Sequence, residues 1–226
     1  MECSTAATLA TVASRAEHSF PGAAPLRGSR VARWILGRFG WRVDFAGFPA
    51  RQGVVVVYPH TSNWDFVVMV LAKWSIGVQV SFWAKDSLFR IPLFGRWLRW
   101  IGGVPVQRHA PRGVVAQAVE RFKQCKARQT YFWLGLSPEG TRKATAGWRS
   151  GFYQTAVLAQ VPLCLVSLDY ACRQVIANQS LRLSGDPEAD FRRIADTLRG
   201  VRGKIPANAA PIRLMAPDRR GPSANL

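Results

Sequence analysis

Apolar residues fall into two patterns along this chain: short unbroken runs, and stripes that recur every three or four positions. The clearest run is Val54-Val55-Val56-Val57. With no polar alternation, it reads as a strand buried on both faces. Tyr131-Phe132-Trp133-Leu134 and Val161 to Leu168 have the same character, and Val78 to Ala84, Val104 to Val106 and Gln174 to Leu183 supply further strands. Helical spacing marks the intervening segments. It places Val31, Trp34, Ile35 and Phe39 on one stripe, and Leu93, Phe94, Trp97, Leu98 and Ile101 on another. Gly113 to Arg128 turns Val114, Val115, Ala118, Val119 and Phe122 inward. Further helices run from Phe66 to Leu71, from the stretch Trp148 to Tyr153 to about Gln160, and from Pro187 to about Val201, the last with Pro at its first position and acids in its first turn.

Strands alternating with helices predict one layered α/β domain, with a mixed or largely parallel central sheet and helices on both faces. Breaks rich in Pro and Gly bound it. Residues 1–28 read as an N-terminal tail, 29–204 as the domain, and 205–226 as a disordered or draped C-terminal tail. In such a fold, loops that follow the strand ends share one edge, where ligands bind.

Charge narrows the partners. A net charge of +18 and a pI near 11.2 call for something acidic: a nucleic acid, an anionic membrane or a phosphorylated substrate. The cysteines at 3, 125, 164 and 172 have no metal-like or redox-like spacing, and no metal site is expected. No run of apolar residues reaches the ~18 needed for a membrane-spanning helix, and the first residues lack the pattern of a signal peptide.

The valine run leads directly into Tyr58-Pro59-His60-Thr61-Ser62-Asn63-Trp64-Asp65. Five positions separate His60 from Asp65, too far round a continuous helix for the two to share a face. They meet if His60 sits just past the strand and Asp65 on the first turn of the next helix, with Ser62 or Asn63 as N-cap. A carboxylate on one imidazole nitrogen leaves the other as a general base. The second landmark, Ser137-Pro138-Glu139-Gly140-Thr141-Arg142, follows another strand; Gly140 permits a turn, and Arg142 offers a planar cation suited to phosphate.

Together, His-x4-Asp and the downstream Pro-Glu-Gly-Thr-Arg resemble the glycerolipid acyltransferases, the family typified by bacterial 1-acylglycerol-3-phosphate acyltransferase. The resemblance runs from about Trp41 to Asp186, and Trp148 to Tyr153 matches a block of the compact bacterial members. Pro59 stands where many members have Asn, and Ser137 where they have Phe. The resemblance implies a glycerol-3-phosphate acyltransferase-like fold and direct transfer of a fatty acyl group from a thioester to the hydroxyl of a lysophospholipid. The donor would be acyl-CoA or acyl carrier protein, with no further cofactor. His60 and Asp65 would be catalytic. Arg108, Glu139, Gly140, Thr141 and Arg142 would bind the acceptor, Glu139 by receiving its hydroxyl or by fixing Arg142, with Lys85 as a lesser contact.

The rival from another class is a basic nucleic-acid-binding protein, with stacking and backbone contacts from the Trp/Arg-rich segment Arg96 to Trp100. No zinc-finger spacing or RNP-like block supports it, and it leaves both landmarks unexplained. For a lipid acceptor the expectation is a cytoplasmic protein, peripheral on the inner face of an anionic membrane. The helix Arg30 to Phe39 then either lies on that membrane or packs on the core with its arginines solvated.

Overall fold

A computed structural model describes residues 28–106 and 113–215. Seven strands form one sheet: β1 (Arg42–Phe45), β2 (Gln52–Tyr58), β3 (Ser81–Lys85), β4 (Gly103–Val106), β5 (Phe132–Leu136), β6 (Leu163–Asp169) and β7 (Gln174–Leu181). Their order is β1-β7-β6-β2-β5-β3-β4. All neighbours are parallel except β6 and β7, which pair antiparallel. Six helices complete the described chain: α1 (Arg30–Arg38), α2 (Asn63–Ile76), α3 (Phe94–Trp100), α4 (Gly113–Ala127), α5 (Gly151–Ala159) and α6 (Pro187–Thr197). The layered α/β class expected from the hydrophobic pattern is the observed one.

The unbroken valines of β2 are explained by where the strand lies. It runs between β5 and β6, so it needs an apolar residue on either side of the pleat. Val54 and Val56 face a core layer built with Phe122 of α4, Phe152 of α5 and Ile194 of α6. Val55 faces the opposite layer, with Val68 and Ala72 of α2, Leu36 of α1, and Trp133. Gly53 belongs to the same arrangement, because a Cβ there would lie 2.2 Å from the Trp133 ring.

Three elements differ from the sequence expectation. β1 was not anticipated; it is only four residues long and half-buried at most, so its apolar signal is too short to read. In α1, the residues turned inward are Ala32 and Leu36, while Val31, Trp34 and Phe39 are 66%, 70% and 65% exposed. The small Ala32 lets α1 sit close on the structure beneath it, and the large apolar residues are left outside. The helix expected over the stripe from Leu93 to Ile101 shortens to α3, preceded by a 3-10 turn over Asp86–Arg90. α3 buries Gly95 and Leu98, and leaves Leu93, Phe94, Trp97 and Trp100 exposed. Among the described residues no helix is long and apolar enough to cross a membrane.

Trp133 is fully buried, stacks on Phe48 with ring centroids 3.9 Å apart, and donates from Nε1 to the Ala50 carbonyl at 3.1 Å. Trp133→Ala should therefore destabilise the domain by about 3–5 kcal/mol. A urea midpoint within error of wild type would mean that this layer does not carry the stability assigned to it.

Candidate active site

β2, β5, β3, β4 and β6 run in the same direction, so their C-terminal ends share one edge of the sheet. His60 follows β2, the 137–142 loop follows β5, Lys85 ends β3, and Tyr170 follows β6. Two landmarks far apart in sequence thus converge for a topological reason.

After β2 the chain passes a cis Tyr58-Pro59 bond and reaches His60, whose side chain is 23% exposed. Ser62 is the N-cap of α2, and its hydroxyl accepts from the Trp64 N–H at 3.2 Å. Asp65 occupies the third helical position and closes a capping box with Ser62. Its Oδ2 accepts from the N–H groups of Thr61 at 2.6 Å and Ser62 at 2.8 Å, and lies 3.3 Å from His60 Nδ1. Oδ1 accepts from the Tyr170 hydroxyl at 2.8 Å. With Nδ1–H directed at Asp65, the Nε2 lone pair is free to take a proton. Burial pushes the Asp65 carboxyl up, but the hydrogen bonds from His60, Ser62, Tyr170 and Thr61 outweigh it, and its pKa ends below the ordinary value.

Glu139 was expected to receive an acceptor hydroxyl or to fix Arg142; its carboxylate turns to backbone, and Arg142 bonds Asn63 instead. Glu139 is 1% exposed, and both of its oxygens are engaged by backbone. Oε2 accepts from the His60 N–H at 2.5 Å and Oε1 from the Ala210 N–H at 3.0 Å. Burial raises its pKa, the Asp65 charge adds to the rise, and the backbone donors and His60 oppose it only in part. Glu139 thus clamps the peptide group of His60.

Arg142 is exposed and reaches the other side of the loop, donating to Asn63 Oδ1 at the start of α2. Gly140 has φ +67°, a conformation that L side chains rarely adopt, and lies against the flexible side chain of Arg149. Thr141 accepts from the Lys143 N–H at 3.3 Å through its hydroxyl. The backbone of Lys85 lies at the same sheet edge. Arg108 falls outside the described residues.

Of the two readings of the C-terminal segment, disordered or draped, the draped one is seen, and its place at the site edge was not foreseen. Residues 202–215 cross the site edge instead of leaving it. The Ile205 N–H donates to Thr61 Oγ1 at 3.3 Å, the Tyr170 N–H donates to the Arg202 carbonyl at 2.8 Å, and Tyr58 donates to the Ala210 carbonyl at 3.1 Å. A Cβ on Gly203 would lie 2.7 Å from Thr61 Oγ1, so only glycine passes there. Lys204 then sits over the Trp64 ring, 5.0 Å from its centroid. Nothing local in the sequence signals this strap, since Pro and Ala are as common in loose tails. Tyr170 was foreseeable only in part, as the residue after a buried strand whose end reaches this edge.

A family model described as Acyltransferase matches residues 42–169, more than half of the chain. The chain belongs to the acyltransferase family. Among solved structures it is similar to the 1-acyl-sn-glycerophosphate (LPA) acyltransferase PlsC from Thermotoga maritima, at 19% identity. That match covers 74% of this chain and 73% of that one, with a TM-score of 0.49. No curated protein matches the chain. The residues matched in this acyltransferase span both landmarks, from β1 to the end of β6.

The two carboxylates make opposite pH predictions. Asp65 has a native pKa below its unfolded one, so its stabilisation is complete above the unfolded value and is lost as pH falls through the native one. Glu139 has a native pKa above its unfolded one, so its contribution is fullest below the unfolded value and declines as pH rises through the native one. Asp65→Asn should lower stability near neutrality by about 1–3 kcal/mol and flatten the acid limb of the stability profile. Glu139→Gln should instead flatten its rise towards acid. Urea midpoints measured from neutral to acid pH check both, and identical profiles in the two variants would contradict these assignments.

Proposed function

We propose that this acyltransferase moves a fatty acyl group from a thioester, acyl-CoA or acyl carrier protein, to the hydroxyl of a lysophospholipid such as 1-acylglycerol-3-phosphate. The observation that carries the reading is the His60–Asp65 pair, 3.3 Å apart at the sheet edge where the 137–142 loop converges. An alcohol is a weak nucleophile near neutrality, and Nε2 is positioned to remove its proton as the oxygen attacks the thioester carbonyl. The oxyanion then collapses, the C–S bond breaks, and the proton held on His60 passes to the departing thiolate. Asp65 stabilises the imidazolium between these steps. Transfer is direct: Ser62 is occupied as the cap of α2, Thr61 Oγ1 accepts from the Ile205 N–H, and neither forms an acyl-enzyme in this scheme.

For the acceptor phosphate the reading relies on cations near the edge. Arg142 is exposed and within reach of α2's N-terminus, Lys204 lies over Trp64, and Arg108 and Lys85 follow adjacent strand ends in sequence. A lipid acceptor also places the enzyme at a membrane. Exposed Trp34 and Phe39 lie on or beside α1 with Arg30, Arg33 and Arg38, and Trp97 and Trp100 lie on α3 with Arg96 and Arg99. Aromatic side chains among arginines favour an anionic bilayer surface. The location proposed is the cytoplasmic face of the membrane, held peripherally.

Purified protein offered both donors with lysophosphatidate and other lyso-lipids should form diacyl product. His60→Ala should lower the rate by about a hundredfold or more. Activity that survives this substitution would remove His60 from the mechanism, and a wild type inactive on every acceptor would refute the lysophospholipid assignment. In vesicle flotation, Trp34→Ala/Trp100→Ala should weaken capture by anionic vesicles. Equal flotation with neutral and anionic lipid would count against the membrane reading.

A further inference from the structure

We propose that Tyr170 is a positioning residue of the dyad, a hydroxyl that fixes the carboxylate plane of Asp65 against His60. The proposal rests on the reading of His60 as base and Asp65 as its orienting partner. Asp65 is 1% exposed, so solvent does not compete for its oxygens. Their loads are unequal. Oδ2 faces three groups, the N–H of Thr61, the N–H of Ser62 and His60 Nδ1. Oδ1 accepts from the Tyr170 hydroxyl. Removing that hydroxyl strips Oδ1 of this donor and frees the plane to rotate about the Cβ–Cγ bond.

Tyr170 is itself held from two sides. Its ring meets Trp41 edge-on, with centroids 4.9 Å apart at 89°, and its N–H donates to the Arg202 carbonyl of the strap. The hydroxyl therefore arrives with its direction set, and little motion is lost when it bonds. Burial and the neighbouring Asp65 push the phenol well above its ordinary value, so it stays a donor through neutral pH. A hydrogen bond to the charged form of a carboxyl favours that form. The result is a line of groups from Tyr170 through Asp65 to His60 Nδ1, ending at the free Nε2. Each member comes from a different place: the end of β6, the first turn of α2, and the end of β2.

The test is Tyr170→Phe, which keeps the ring on Trp41 and deletes only the hydroxyl. Acyl transfer is measured against pH, and the Asp65 carboxyl is followed by carbon NMR titration, assigned by its disappearance in Asp65→Asn. His60 and Glu139 are the other titratable groups that act on Asp65, and both are unchanged in this variant. The expected result is a kcat lower by about tenfold or more, with KM for donor and acceptor nearly unchanged. The Asp65 titration should move upward, and the urea midpoint should show that the fold is kept. An Asp65 titration that stays in place would overturn the proposal whatever the rate does, because a merely structural tyrosine leaves it unmoved. If the wild type shows no acyl transfer, the reading of the reaction fails. The carboxyl titration still decides whether Tyr170 governs Asp65.

Discussion

Two buried carboxylates hold the turn that carries His60, and the rest of the site depends on them. Asp65 grips it from the helix side through the N–H groups of Thr61 and Ser62, and Glu139 grips it from the β5 side through the N–H of His60. Removing a carboxylate from water costs several kcal/mol unless donors replace the lost hydration. Here the replacement donors are mostly peptide groups of the turn and strap, which are fixed by the fold and need no side-chain ordering. This explains how a loop leaving a central strand can present an imidazole in one orientation. It also divides the labour between the two acids. Asp65 touches the imidazole as well as the backbone, and Glu139 holds only backbone.

The strap of residues 202–215 turns this grip into a closed ring of contacts. Glu139 bridges His60 to Ala210, Tyr58 reaches the Ala210 carbonyl, and Thr61 receives Ile205. Ala210 is fully buried, although an alanine in a Pro- and Ala-rich stretch has no hydrophobic pattern to announce it. The strap also supports Tyr170 from behind, so the orientation of Asp65 is coupled to chain that follows the last helix. The turn that begins at residue 60 is completed by a peptide group 144 residues further along the chain from Thr61.

The surface has a different logic. Arginine and tryptophan side chains on α1 and α3 are exposed, while the smaller Ala32 and Gly95 face inward. Small residues inside allow close approach of the elements, and the price is large apolar groups left outside.

The chain by itself determined the class of fold and every strand but β1, because an unbroken Val54–Val57 run, the Tyr131 strand and the Val161 strand read as a sheet covered on both faces. It also determined the local geometry of the His60–Asp65 turn, since a serine cap and an acid three positions later are neighbours within one helical turn. What it left undecided were contacts across distance. The stripe Val31, Trp34 and Phe39 has the same period whether it faces core or solvent, and only packing chose solvent. Glu139 beside Arg142 suggests an ion pair, yet the fold brings the peptide N–H groups of His60 and Ala210 to the carboxylate and Asn63 to the arginine. Tyr170 lies 105 residues from Asp65, and no local pattern records that they touch. Periodicity encodes which face of an element is apolar. Partners for buried polar groups are chosen only when the sheet order brings strand ends together.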